Sequence, residues 1–168
     1  MTAFIGYLFE DTSELTYNIR LVTDEIQKKY MFVPQRFLHI TLVYLGKNNT
    51  GENVNKELLK VNLDELRKIN TTKCIFSCLK FIGNSLLFVF DLEDINVQKS
   101  VTDIMVNYNN NVQLHVTMGK FDGNCTKIFE YEFKEKIEKM LENTKFIIGA
   151  LELIDVNLFK IYSVRKEI

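Results

Sequence analysis

Two short patterns constrain this chain more than any other feature. His39-Ile40-Thr41-Leu42 and His115-Val116-Thr117-Met118 follow one template: histidine, apolar residue, threonine, apolar residue. The chain holds only two histidines, and each opens one copy. The copies stand nearly half of the 168 residues apart. Along a strand, side chains alternate between faces, so His39 and Thr41 share one face while Ile40 and Leu42 share the other. His115 and Thr117 relate to Val116 and Met118 in the same way. Each copy therefore presents an imidazole and a hydroxyl on one side and anchors itself in a core with the other. A fold that houses both copies in equivalent places must itself be built twice.

The flanking patterns agree with a doubled build. Residues 3–9 read as a buried strand. Asp11 and Glu14 resemble a capping box, and Leu15, Ile19, Val22, Ile26 and Tyr30 recur at helical steps of three or four. Pro34 lies in the connection to a strand over 37–46. Residues 52–69 are helical in type, with a break near Asn62 and Asp64, and 73–82 return to strand. In the second half, 85–92 read as a strand, and Val101, Ile104, Met105 and Tyr108 mark a helical face. A strand covers 112–121. Phe129, Phe133, Ile137, Met140 and Leu141 mark another helix, 145–156 a strand, and a closing strand is expected near 158–165. Each half reads strand, helix, strand, helix, strand, with the histidine in the middle strand. Two copies make a pseudo-repeat rather than a solenoid. The expectation is one domain over 1–168, with lobes of about 1–71 and 72–168 meeting at a central cleft and a seam between Asn70 and Thr72.

Composition excludes several classes. At 46% hydrophobic and 26% charged residues, the chain buries a core and keeps a solvated surface. Seven Gly and one Pro leave no room for a collagenous or linker-rich protein. The net charge of -1 argues against gripping long nucleic acid by bulk charge; a small anion in a local pocket stays open. No leader and no apolar run of spanning length is read, so no membrane partner is expected. Cys74, Cys78 and Cys125 are an odd set, read as reduced thiols in a cytoplasmic setting. Cys74 and Cys78 are expected on one strand face, as small apolar residues rather than metal ligands. The run Lys134 to Lys139 reads as a solvated helix face.

Two imidazoles and two hydroxyls suit phosphodiester chemistry. One neutral His accepts a proton from the attacking water or hydroxyl, and one protonated His gives a proton to the leaving oxygen. Threonine hydroxyls donate to the non-bridging oxygens as charge builds there. For hydrolysis the reading assigns His115 as base and His39 as acid, with the roles exchanged in the reverse reaction. No cofactor and no metal is needed. Zinc is the rival, and two distant histidines with no H-x-H or H-x3-H supply too few ligands.

The segments Leu38-His39-Ile40-Thr41-Leu42-Val43-Tyr44-Leu45-Gly46 and Leu114-His115-Val116-Thr117-Met118 resemble the paired motifs of the 2H phosphoesterases, which include 2′-5′ RNA ligase-like proteins and cyclic phosphodiesterases. The opening Phe4-Ile5-Gly6 and the element order extend the likeness over essentially the whole chain. The resemblance implies an α+β, bilobal, pseudo-symmetric fold, with two antiparallel sheets lining a cleft and helices outside. It implies metal-independent hydrolysis of 2′,3′-cyclic phosphates or 2′-5′-linked nucleotides, with His39, Thr41, His115 and Thr117 at the catalytic positions. Many members carry Pro before the second His and Arg five places after it; Leu114 and Lys120 stand there instead. Lys120 keeps the charge and loses the bidentate fork.

Further candidates surround the motifs. Arg36 precedes His39 by three residues and could reach a phosphate. Tyr44, Phe121 and Tyr162 are candidates for stacking on a base, for about 1–3 kcal/mol per base, and Tyr162 ranks first because family members often place an aromatic in the final strand. The expected substrate is a small nucleotide or short oligonucleotide, such as a nucleoside 2′,3′-cyclic phosphate or 2′-5′ oligoadenylate, acted on by a monomer. Two other functions use the same cleft: sequestering such a nucleotide without turnover, and joining RNA ends in 2′-5′ linkage.

Overall fold

A computed structural model describes residues 3–45, 51–155 and 165–167, with side chains described over 3–45 and 56–155. The chain opens with β1 (Ala3–Leu8) and α1 (Glu14–Gln27). Ser13, not Asp11, caps α1: its hydroxyl accepts from the Thr16 N–H at 3.1 Å. The capping-box expectation is thus displaced by two residues, since a serine directly ahead of the first turn satisfies the orphan amide itself. Leu15, Ile19, Val22 and Ile26 are buried, as their spacing predicts. Next come β2 (Phe32–Pro34), β3 (His39–Tyr44), α2 (Gly51–Lys60) and α3 (Leu63–Arg67), followed by a 3-10 turn over Lys68–Thr71. The expected helix break is real: Asn62 caps α3 through the Glu65 N–H.

β4 (Cys74–Ile82) follows, and then β5 (Ser85–Leu92), α4 (Ile95–Met105), β6 (His115–Phe121), α5 (Cys125–Glu132) and α6 (Lys134–Leu141). The strand expected over 145–156 is instead two short ones, β7 (Lys145–Phe146) and β8 (Glu152–Asp155), before β9 (Arg165–Glu167). They belong to different sheets, so the chain must leave one and enter the other between them. The closing strand expected near 158–165 lies outside the described residues, save for the start of β9.

Two antiparallel sheets result, in the orders β3-β1-β8-β9 and β2-β6-β5-β4-β7. Their cores, β3-β1-β8 and β6-β5-β4, share a plan: the motif strand, the strand that opens its half, then a strand that closes a half. β4 closes the first half and pairs with β5; β8 closes the second and pairs with β1. β2, from residues 1–71, pairs in the second sheet, and β8 and β9, from residues 72–168, pair in the first. Between sheets and helices runs the main core, with Phe88, Phe90, Phe121 and Phe129 among its largest members.

Strand irregularities matter more than strand lengths here. In β4 the register slips between Phe76 and Cys78, which pair with Phe90 and Val89. That bulge turns Cys78 to the face opposite Cys74, correcting the same-face expectation. Cys74 is fully buried, and burial pushes its thiol up to about 12, so it behaves as a small apolar residue. No described helix is long and apolar enough to cross a membrane.

Candidate active site

Both motif strands are shaped alike. β3 pairs with β1 so that His39 faces Leu8 and Thr41 faces Gly6; Val43 then faces Ile5, leaving Leu42 as an extra residue. β6 pairs with β5 so that His115 faces Val89 and Thr117 faces Leu87; Gly119 then faces Leu86, leaving Met118 as the extra residue. Each bulge falls on the fourth motif residue. Behind each motif the apolar anchors are buried: Ile40, Leu42, Val116 and Met118 are all at most 1% exposed.

The imidazoles are oriented by one device used twice. His39 Nδ1 lies 2.9 Å from the carbonyl oxygen of Phe37, and His115 Nδ1 lies 2.8 Å from that of Gln113. A carbonyl only accepts, so Nδ1 carries the proton in both rings and donates. In the neutral ring the lone pair then sits on Nε2, which is the atom left to exchange protons with a substrate. Both rings are half-buried. His39 lies beside an apolar floor of Phe4, Leu8 and Ile154, with Phe37 and Tyr44 packed against it, and the Phe4 ring is 5.4 Å away.

Burial pushes the His39 imidazole below its ordinary 6.5; the hydrogen bond to Phe37 opposes this, and the charge of His115 adds to it. Burying His39 in its neutral form also ties it to stability. The unfolded chain binds the proton more readily, so this contribution is fully present above 6.5 and is lost as pH falls through the folded midpoint. The melting temperature is expected to drop along this acid limb in the wild type and to drop less in His39→Gln. Equal slopes for the two proteins would rule out His39 as the group responsible.

The motifs are brought together where β3 approaches β6. Thr41 and His115, one from each half, line a hollow of about 250 Å3 with Tyr44, Tyr108 and the amides of Asn109, Asn110 and Asn111. A second hollow of about 410 Å3 follows β6 and β2, lined by Thr117, Lys120, Ser85 and Gln35 among others. Among the described residues neither threonine hydroxyl of the motifs is engaged in a hydrogen bond. No group of three or more His, Cys, Asp or Glu among the described residues is placed to hold a metal ion.

The outlying candidates divide. Tyr44 is half-buried in the hollow with His115, and Lys120 is exposed in the one with Thr117. Arg36 is exposed on the loop ahead of β3, its guanidinium 5.0 Å from the Phe37 ring centre. Phe121 is corrected: it is 1% exposed and packs on Phe32 and Phe129 at 4.8 and 4.9 Å between ring centres, so no face is left for a base. One residue past Lys120, it takes the core side of β6. Tyr162 lies outside the described residues. Sequence reasoning missed Asn109, Asn110 and Asn111; the only signal was a run of amides just ahead of the second motif.

No protein-family model and no curated protein sequence matches the chain. Solved structures do. The MHV ns2 PDE domain superposes with a TM-score of 0.56, covering 90% of this chain and 96% of that one at 14% identity. Usb1 of Kluyveromyces marxianus, solved with uridine monophosphate, gives 0.61 over 99% and 98% at 11% identity. The chain has the 2H phosphoesterase fold. With so little identity, shared architecture is what the likeness conveys, and the bilobal α+β expectation from the motifs agrees with it.

Proposed function

We propose that this chain is a member of the 2H phosphoesterases, a metal-independent phosphodiesterase that hydrolyses 2′,3′-cyclic phosphates or 2′-5′ linkages in small nucleotides or short oligonucleotides. One observation carries the reading: two imidazoles on equivalent strands, each held by a backbone carbonyl that leaves Nε2 to exchange protons, are carried by strands that approach each other, β3 and β6. Support comes from the fold shared with a PDE domain and with a protein solved with a nucleotide.

The chemistry follows from the placement. Burial keeps His39 neutral, which suits it to take the proton from the attacking water at Nε2. With His39 as base, His115 is the acid that donates to the departing oxygen, the reverse of the assignment made from sequence. The water oxygen bonds to phosphorus as the bond to the 2′- or 3′-oxygen breaks, and one proton passes to each side. Thr41 and Thr117 donate to the non-bridging oxygens, and Lys120 adds positive charge from the neighbouring hollow.

The test is direct. The protein is incubated with a nucleoside 2′,3′-cyclic monophosphate and with 2′-5′ oligoadenylate, with and without EDTA. Turnover of at least one is expected to survive EDTA. The rate should follow a bell in pH, since one ring must be neutral and the other charged. Tight binding without product would make the cleft a sequestering site instead, and a flat profile with chemistry rate-limiting would remove paired histidine catalysis.

A further inference from the structure

The loop ahead of each motif strand serves both motifs. Ahead of β3, Phe37 supplies the carbonyl that orients His39, and Gln35 N–H donates at 2.9 Å to the carbonyl of Met118, the bulge residue of the other motif. Ahead of β6, Gln113 supplies the carbonyl that orients His115, and Asn109 Nδ2 donates at 2.8 Å to the carbonyl of Leu42, the bulge residue of the first motif. The brace is reciprocal, but its two arms differ. One uses a backbone amide; the other uses a side chain.

Asn109 does more than cap one carbonyl. Its Oδ1 also accepts from the Tyr44 N–H at 3.0 Å. In a strand, the carbonyl of one residue and the N–H of the next but one lie on the same edge. Among the described residues β3 is the outer strand of its sheet, and no described strand pairs with that edge. The Asn109 carboxamide stands where a neighbouring strand's peptide would, offering a donor and an acceptor together. It is fixed from behind: its own N–H donates to the carbonyl of Met105 at 2.9 Å, and Met105 is fully buried on α4.

We propose that Asn109 is a positioning residue whose carboxamide locks β3 to the loop ahead of β6 and so sets the separation of His39 from His115. The catalytic readout of this inference rests on the phosphodiesterase reading; its spectroscopic readouts do not. Loosening the lock would let the lobes part, and a small misplacement of reacting groups is costly to turnover.

Three measurements test it. In the wild type, the Tyr44 amide is expected to exchange slowly with solvent although it lies on an outer edge; exchange as fast as an open amide would overturn the lock. In Asn109→Ala, kcat on a nucleoside 2′,3′-cyclic monophosphate should fall about 10-fold with KM within about twofold. Among the described residues, His115 is the titratable group whose charge acts on His39. As the lobes part, burial and that charge both weaken, so the His39 titration followed by NMR should move up toward 6.5. Asn109→Leu keeps the side chain's branched shape, loses both bonds and adds no charge, so it should shift the titration the same way. Asn107→Ala, exposed on the same segment, should change neither reading. A folded Asn109 variant with His39 titration and kcat unchanged would overturn the proposal. If the wild type turns over no phosphodiester, the phosphodiesterase reading falls, while the exchange and titration data still decide the role of Asn109.

Discussion

His39→Ala and His115→Ala are each expected to lower kcat on a 2′,3′-cyclic phosphate by about 10²-fold or more, and the double variant by little more than the worse single one. Two groups that act in one transition state lose most of their effect when either is gone, so their costs do not add. Additive costs would mean that the imidazoles work in separate events. The fold should survive, because each ring is half-buried and its strand is anchored from behind by Ile40 and Leu42, or by Val116 and Met118. Circular dichroism and the melting temperature separate a lost proton relay from a lost structure. Activity within about threefold of wild type in either single variant would leave the cleft without its proposed chemistry.

The residues behind that prediction were legible because their signal is local. Histidine, threonine and two apolar residues alternate on one strand, and alternation needs no knowledge of the partner strand. The helix faces were legible for the same reason, and Leu15, Ile19, Val22 and Ile26 lie where their spacing sends them. What failed depends on partners. A bulge is a property of two strands in register, so Leu42, Met118 and the turn of Cys78 to the other face are not written in one strand's pattern. The placement of β2 in the second sheet and of β8 in the first is likewise non-local, and one strand's pattern does not carry it.

Side chains with two possible uses were the other source of difficulty. Phe121 and Tyr44 are both aromatics near a motif histidine, yet one ends in the core and the other in the hollow. The difference lies in the bulge at Met118, which resets the alternation along β6 so that Lys120 is exposed and Phe121 faces inward. Asn109 carries no periodicity at all. Its role becomes visible only when the outer edge of β3 stands beside it.

Gly6→Ala is expected to have an effect comparable with loss of a histidine, from a residue that touches no substrate. Gly6 lies in β1 directly opposite Thr41, at the step where the β3 register slips. A Cβ there would run into the backbone carbonyl oxygen of Ile40, with the ring of Phe4 at 3.0 Å on the other side. Neither neighbour can yield cheaply. The carbonyl belongs to the motif strand between His39 and Thr41, and Phe4 is buried at 3% exposure. Overpacking at such a site costs about 1–3 kcal/mol, and relief requires β3 to move away from β1. That movement carries His39 and Thr41 with it, while His115 and Thr117, on the other sheet, stay where they are. Turnover should therefore fall about 10²-fold, with a melting temperature lowered by several degrees. Gly83→Ala provides the contrast: its added Cβ meets nothing within 4 Å, and its φ of +58° makes the cost one of backbone strain in the β4–β5 turn, with no push on β3. The decisive reading is activity per folded molecule. If Gly6→Ala lost stability but kept full turnover below its melting point, the close approach of β1 to β3 would serve folding alone and not the placement of the first motif.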